Sequence, residues 1–158
     1  MMLKVGYVRN DEDLQRVKRY FDGQLPKYKL DNLGFREKLW LYKAHLWYSL
    51  LTQDFLSAYK YASKWVDLFY ENEEMILLNP VFFLKGNHYL LESLFFVKYG
   101  SQFKETLERL EIEVSRSKFP QNDNITSLAF LYINSSKLNL HFLEGTFEKG
   151  IYLVNIIE

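Results

Sequence analysis

Residues 53–65, QDFLSAYKYASKW, decide the fold class because small and apolar side chains recur along them at helical spacing. The pattern starts at Phe55. Steps of three, four and three residues from there reach Ala58, Ala62 and Trp65, which lie on one face of a 3.6-residue helix. The stretch therefore predicts an amphipathic helix with a single buried stripe.

Two later segments align with this pattern without gaps, SQFKETLERLEIE from Ser101 and GTFEKGIYLVNII from Gly145. Their phenylalanines, Phe103 and Phe147, match Phe55. Small residues three positions after the phenylalanine predict sites where two helices approach closely. The predicted packing positions are Phe55, Ala58, Ala62, Phe103, Thr106, Leu110, Phe147, Gly150 and Val154.

A second helical pattern precedes each of these segments. In the first unit it carries apolar residues on two faces, one of which includes Trp40 and Trp47, and this predicts a helix buried on two sides. Asn79 and Pro80 predict the cap and the first residue of a helix. The turns between paired helices contain Gly100 and Gly145, which we expect to adopt positive φ, and the first turn spans 52–54.

These boundaries predict three helix pairs, at about 35–72, 79–117 and 122–158. Residues 1–34 would form one more helix, from Asp11 to Phe21, and an irregular connector through Gly23, Pro26 and Gly34 that could cap the array. Seven glycines and three prolines are too few for an all-β fold. The prediction is an all-α chain of about seven helices.

Charge and cysteine content exclude several classes of protein. Twenty basic and twenty acidic residues cancel, which disfavours binding to nucleic acid or to an anionic membrane. No cysteine is present, so disulfides and thiol catalysis are excluded. The opening residues lack the apolar core of a signal peptide, and no apolar run approaches the roughly 18 residues that span a bilayer. We expect a cytoplasmic protein.

The turn followed by D-F-x-x-A resembles the second helix of a tetratricopeptide repeat, and QDFLSAYKYASKWVDLF carries the likeness best. The resemblance covers residues 36–158. It implies a right-handed stack of antiparallel helix pairs, an α-solenoid that could be part of a longer array. The landmark phenylalanines are 48 and 44 residues apart, whereas that family has a period of about 34. HEAT-like and other helical repeats have about the observed period and stay open as alternatives.

Catalytic motifs are absent from the sequence, since it contains no phosphate-binding loop, no G-x-S-x-G and no H-E-x-x-H. The three histidines fall on the predicted first helices at different distances from the landmark phenylalanine: His45, His88 and His141. They could form a metal site, but packed or surface histidines are favoured. The carboxylates in 71–74 could hold a cation, but a solvated loop is favoured. We expect neither enzymatic activity nor a cofactor.

The aromatic content suggests how the chain could bind a partner. By analogy with tetratricopeptide arrays, the first helices would line an inner surface, and its candidate residues are Trp40, Lys43, Trp47, Tyr99, Tyr132, Ser135 and Asn139. Packing of Trp40 and Trp47 against a neighbouring helix is the alternative. The sequence thus favours a non-catalytic scaffold that binds a peptide or a partner helix. A structural spacer or a self-association segment is the second possibility.

Overall fold

The computed structural model describes residues 8–24 and 30–157, and all the regular secondary structure in these ranges is helical. Its eight α-helices are α1 Asp11–Gln24, α2 Phe35–Leu51, α3 Phe55–Tyr70, α4 Glu74–Leu78, α5 Pro80–Phe96, α6 Gly100–Ser115, α7 Asp123–Glu144 and α8 Phe147–Ile157. A 3₁₀ turn spans Leu30–Asn32. The described ranges contain no β-strand, so the all-α prediction is confirmed.

Several local predictions need correction. The short helix α4 was not predicted, because five residues are too few to establish a helical period. Helix α1 continues three residues beyond Phe21, and Asn10 caps it by accepting a hydrogen bond from the Asp13 amide at 2.9 Å. Pro80 does begin α5, but the Asn79 side chain makes no capping hydrogen bond. Pro26 and the opening residues 1–7 lie outside the described residues.

The chain divides into two compact units, Met1–Trp65 and Val66–Glu158, and the division falls within α3. In the first unit, α1 packs on α2 through Phe21 and Tyr48, whose ring centroids are 4.7 Å apart. The stacked rings of His45 and Tyr61 join α2 to α3. The buried apolar side chains of this unit are Val17, Phe21, Leu39, Leu46, Ala58, Ala62 and Trp65.

In the second unit, α5 packs against α4, α6 and α7, and α7 packs against α6 and α8. Phe83 of α5 lies in the middle of the core, with its ring centroid 5.8 Å from that of Phe69 and 6.3 Å from that of Phe119. Asn87 is also buried, and its amide donates to the Phe83 carbonyl oxygen one turn earlier at 3.0 Å. Contacts on several sides explain why α5 is apolar around most of its circumference.

The three hairpin turns share one hydrogen-bond pattern. A residue in the left-handed conformation ends each first helix: Gln53 (φ 57°), Lys98 (φ 59°) and Gly145 (φ 70°). The amide of the next residue donates five residues back, from Asp54 to the Ser49 carbonyl oxygen at 2.8 Å in the first turn. Equivalent bonds join Tyr99 to Leu94 and Thr146 to His141. This is the Schellman motif, and the next helix begins two residues after the left-handed one.

These turns change the repeat register. Glycine was expected at the left-handed position of the second turn, but Lys98 occupies it and Gly100 is the first residue of α6. The equivalent helix starts are therefore Phe55, Gly100 and Phe147. Three residues after each start, Ala58, Phe103 and Gly150 are all buried. The gapless alignment on phenylalanine was thus shifted by three residues in the second pair, and a shift of three nearly preserves the face of a helix, which hid the error.

Candidate protein interface

On α2, the predicted contact residues share one face, at steps of three and four. Trp40 is 52% exposed, and the ammonium of Lys43 lies 4.6 Å from the centroid of its ring. Trp47 is half-buried. An exposed tryptophan offers a large apolar area for contact, and tryptophan is among the residues enriched at the energetic centres of protein interfaces.

A second aromatic cluster on α2 and α3 was not predicted. The rings of His45 and Tyr61 are stacked, with centroids 4.2 Å apart and planes 6° from parallel. The ammonium of Lys64 lies 5.6 Å from the centroid of Tyr61 and 5.9 Å from that of Tyr42. Burial lowers the pKa of His45, and the charges of Lys64 and Lys60 lower it further. Both effects favour the neutral imidazole, which stacks on the ring of Tyr61.

On α7, Tyr132, Ser135 and Asn139 lie on one face and are all half-buried. Tyr99, which was predicted to share a first-helix surface, lies instead in the turn after α5. The reason is the left-handed Lys98, which ends α5 at Phe96 and places Tyr99 immediately before α6. Tyr99 is 39% exposed.

Tyr132 packs on His88 of α5. The two rings are 1° from parallel with centroids 4.1 Å apart, and His88 Nε2 lies 3.5 Å from Glu92 Oε1. Burial lowers the pKa of His88, and the nearby Glu92 carboxylate opposes this effect. Burial also raises the pKa of Tyr132. The stack joins α5 to α7, so it acts first as a packing contact.

The third histidine has a different partner. His141 Nδ1 lies 2.8 Å from the Thr146 hydroxyl, which connects the last turn of α7 to the loop before α8. Across the described residues, no three histidine, aspartate or glutamate side chains come together as metal ligands. Glu71, Glu73 and Glu74 are exposed, and Glu74 begins α4 rather than lying in a loop.

Glu113 is buried and paired with Arg116 through oxygen and nitrogen atoms 2.8 Å apart. It lines a cavity of about 640 Å³ between α4 and the end of α6. The cavity wall carries Glu73, Glu74, Leu77, Glu113, Arg116, Ser117 and Lys118. Because charges of both signs line it, the cavity has no clear preference for an ion of either sign.

An apolar groove lies between α7 and α8. Its volume is about 310 Å³, within the usual range of ligand-sized clefts, and its lining is Leu138, His141, Phe142, Phe147, Gly150, Ile151 and Val154. Phe142 and Phe147 meet edge to face, with ring centroids 5.5 Å apart. A Cβ atom on Gly150 would lie 3.1 Å from Leu138 Cδ1, so the glycine permits the close approach of the two helices.

The predicted packing positions differ in their burial. Ala58, Ala62, Phe103, Leu110 and Gly150 are buried, while Phe55 and Thr106 are half-buried. Phe147 and Val154 need correction, because they are 57% and 39% exposed and line the groove. Phe147 is the first residue after its turn, the structural equivalent of Phe55 and Gly100, and this position is not enclosed in any of the three hairpins.

No family model, curated protein or solved structure matches the chain. Within the described ranges, no helix is long and apolar enough to cross a membrane.

Proposed function

We propose that this protein is a non-catalytic scaffold that binds another polypeptide through the groove between α7 and α8. The observation that carries the proposal is the exposed apolar lining of the groove. Phe142, Phe147 and Ile151 are 54%, 57% and 66% exposed. Large apolar side chains that stay in contact with water around a cleft are typical of interaction sites.

The expected ligand is a peptide or a partner segment that binds as an amphipathic helix with apolar anchors. The groove lining contains no Asp, Glu, Lys or Arg, so it favours apolar side chains over charged ones. The partner should therefore present apolar side chains at helical spacing. The α2 face with Trp40 and the α7 face with Tyr132 are secondary contact candidates in this proposal.

The arrangement of the helix hairpins is also part of the proposal. Three hairpins with the same turn motif, and the packing of α5 on both α6 and α7, favour the stacked arrangement of a tetratricopeptide-like α-solenoid. Such arrays bind partners on surfaces and need no catalytic group. We assign no catalytic residue, cofactor, nucleic acid or membrane partner. We propose a cytoplasmic location, with which a sequence free of cysteine agrees.

Selection from a displayed peptide library tests this function with no assumption about the identity of the partner. The immobilised protein should enrich peptides with apolar residues at helical spacing. Their binding should be lost in Ile151→Glu and kept in Leu78→Glu, which changes an apolar residue on α4 that is 71% exposed. If no enriched peptide distinguishes these two variants, the groove does not bind peptides and the proposal fails.

A further inference from the structure

Helix α8 has an unusual distribution of charge and apolar surface. Its only charged residues are Glu148 and Lys149, which are adjacent in the first turn. Phe147, Ile151 and Val154 lie along the flank that lines the groove. On this flank the helix therefore has nothing that would repel an identical helix.

We propose that the groove binds a second copy of this chain, by antiparallel pairing of α8 with α8 across a two-fold axis close to Ile151. This inference rests on the proposed function and names the partner. An apolar surface is complementary to itself, and a closed two-fold contact uses the same patch on both copies. Each α8 would fill the groove of the other.

The antiparallel direction follows from the shapes of the side chains. With the axis between Gly150 and Ile151, Phe147 of one copy lies opposite Val154 of the other, so that a large side chain meets a small one. Parallel pairing would place each of these residues opposite its own copy, so that Phe147 meets Phe147 and Val154 meets Val154. Antiparallel pairing therefore fits the shapes of the side chains better.

The available area agrees with a dimer of modest affinity. Phe142, Phe147, Ile151 and Val154 are 54%, 57%, 66% and 39% exposed. At about 200 Å² for a large side chain, they offer roughly 400 Å² on each copy. Because about 65% of a homodimer interface is apolar, two copies would bury about 1,200 Å² in total, the lower limit for specific stable interfaces. We therefore expect a dissociation constant in the micromolar range.

Sedimentation velocity of the whole chain, from about 1 to about 200 μM, measures this equilibrium across the expected range. The average mass of the sedimenting species should rise from that of a monomer to that of a dimer as the concentration increases. Ile151→Glu should weaken dimerisation by about 30-fold or more, because it places a carboxylate at the centre of the contact. Leu78→Glu should leave it unchanged, and circular dichroism should show that both variants keep their helices.

Disulfide trapping provides an independent readout, because the chain has no cysteine of its own. Position 151 lies near the axis, where two copies of one residue come within bonding reach, so Ile151→Cys should form a covalent dimer rapidly under mild oxidation. Leu78→Cys is a matched control, with the native side chains 66% and 71% exposed, and should crosslink slowly.

A chain that stays monomeric at about 200 μM, well above the expected dissociation constant, would overturn the inference. So would a dimer that Ile151→Glu does not weaken, or equal crosslinking of the two cysteine variants. The proposed function is tested separately. If peptides still bind the groove while the chain is monomeric, the scaffold stands and its partner is a different protein.

Discussion

His88 and Tyr132 stack face to face, with ring centroids 4.1 Å apart and planes that differ by 1°. The first unit contains a related pair, His45 and Tyr61, at 4.2 Å and 6°. In both pairs a histidine on the first helix of a hairpin lies against a tyrosine of another helix, and burial is the main cause of a lowered histidine pKa. Protonation of either imidazole therefore opposes folding.

The first prediction is that stability falls as these histidines become charged. Both have folded-state pKa values below the ordinary 6.5, so the unfolded chain binds more protons as the pH drops below that value. The free energy of unfolding should be constant between about pH 7.5 and pH 9, below the range in which tyrosine titrates, and should decrease towards pH 5. Urea denaturation at each pH measures it.

The control for this prediction is the double variant His45→Gln, His88→Gln, in which most of the decrease between pH 7.5 and pH 5 should disappear, since histidine titrates in that interval. Carboxylates that titrate in both proteins cancel in the comparison. An unchanged slope in the double variant would show that other groups cause the pH dependence.

The second prediction concerns the left-handed residues of the turns. At positive φ, a residue with a side chain is strained by about 1 to 2 kcal/mol relative to glycine. Part of this strain is offset, because glycine loses more conformational entropy on folding. Gln53→Gly and Lys98→Gly should each raise the free energy of unfolding by about 0.5 to 1 kcal/mol, whereas Gly145→Ala should lower it by about 1 kcal/mol. Thermal and urea unfolding give these values.

Gly100→Ala is the matched control for the turn series. Gly100 does not have positive φ, and no atom lies within 4 Å of a Cβ built on it. This substitution should be neutral or slightly stabilising. A large decrease in the free energy of unfolding would mean that the turn needs glycine at position 100, contrary to the shared motif.

Much of the helical architecture was predictable from periodicity, because helices of sixteen or seventeen residues such as α3 and α5 repeat their apolar pattern over several turns. Periodicity did not predict the register of the second helix pair, α5 and α6. Lysine has no preference for the left-handed conformation, so Lys98 gives no signal for the turn, whereas Gly100 gives a misleading one. Helix boundaries depend on such single residues.

The interaction surface was harder to predict. Trp40 is exposed, as a contact residue should be, but Phe147 was predicted to pack and lies open at the groove. An amphipathic pattern identifies which side of a helix is apolar without showing whether another helix covers it. The stacks of His88 on Tyr132 and of His45 on Tyr61 join residues distant in sequence, so no local pattern reveals them.

The third prediction tests the approach of α8 to α7. A side chain at Gly150 would meet Leu138 and His141, because a Cβ atom alone comes within 3.1 Å and 3.6 Å of them. Gly150→Leu should cost about 1 to 3 kcal/mol through overpacking. Hydrogen exchange should show faster exchange of the amides of α8, with α5 and α6 less affected.

Asn155→Leu adds the same side chain to an exposed position of α8 and serves as the control. In this variant the amides of α8 should keep their protection from hydrogen exchange. If Gly150→Leu also leaves the amide exchange of α8 unchanged, α7 and α8 have room for a side chain at this position. The close approach at Gly150 is then not required for the packing of α8 on α7.

The last prediction concerns Tyr70. Its hydroxyl group is buried and neither donates nor accepts a hydrogen bond among the described residues. The guanidinium of Arg109 lies over the face of its ring, 3.4 Å from the centroid, and burial raises the pKa of the phenol. A buried hydroxyl without a partner loses its hydration and gains nothing in return. Tyr70→Phe should therefore keep the cation contact and raise the free energy of unfolding by up to about 1 kcal/mol. Arg109→Ala should lower it by about 1 kcal/mol in either background, because the guanidinium lies over the face of the ring. If the Arg109 effect vanishes when the hydroxyl is removed, the guanidinium acts through a hydrogen bond to that oxygen instead.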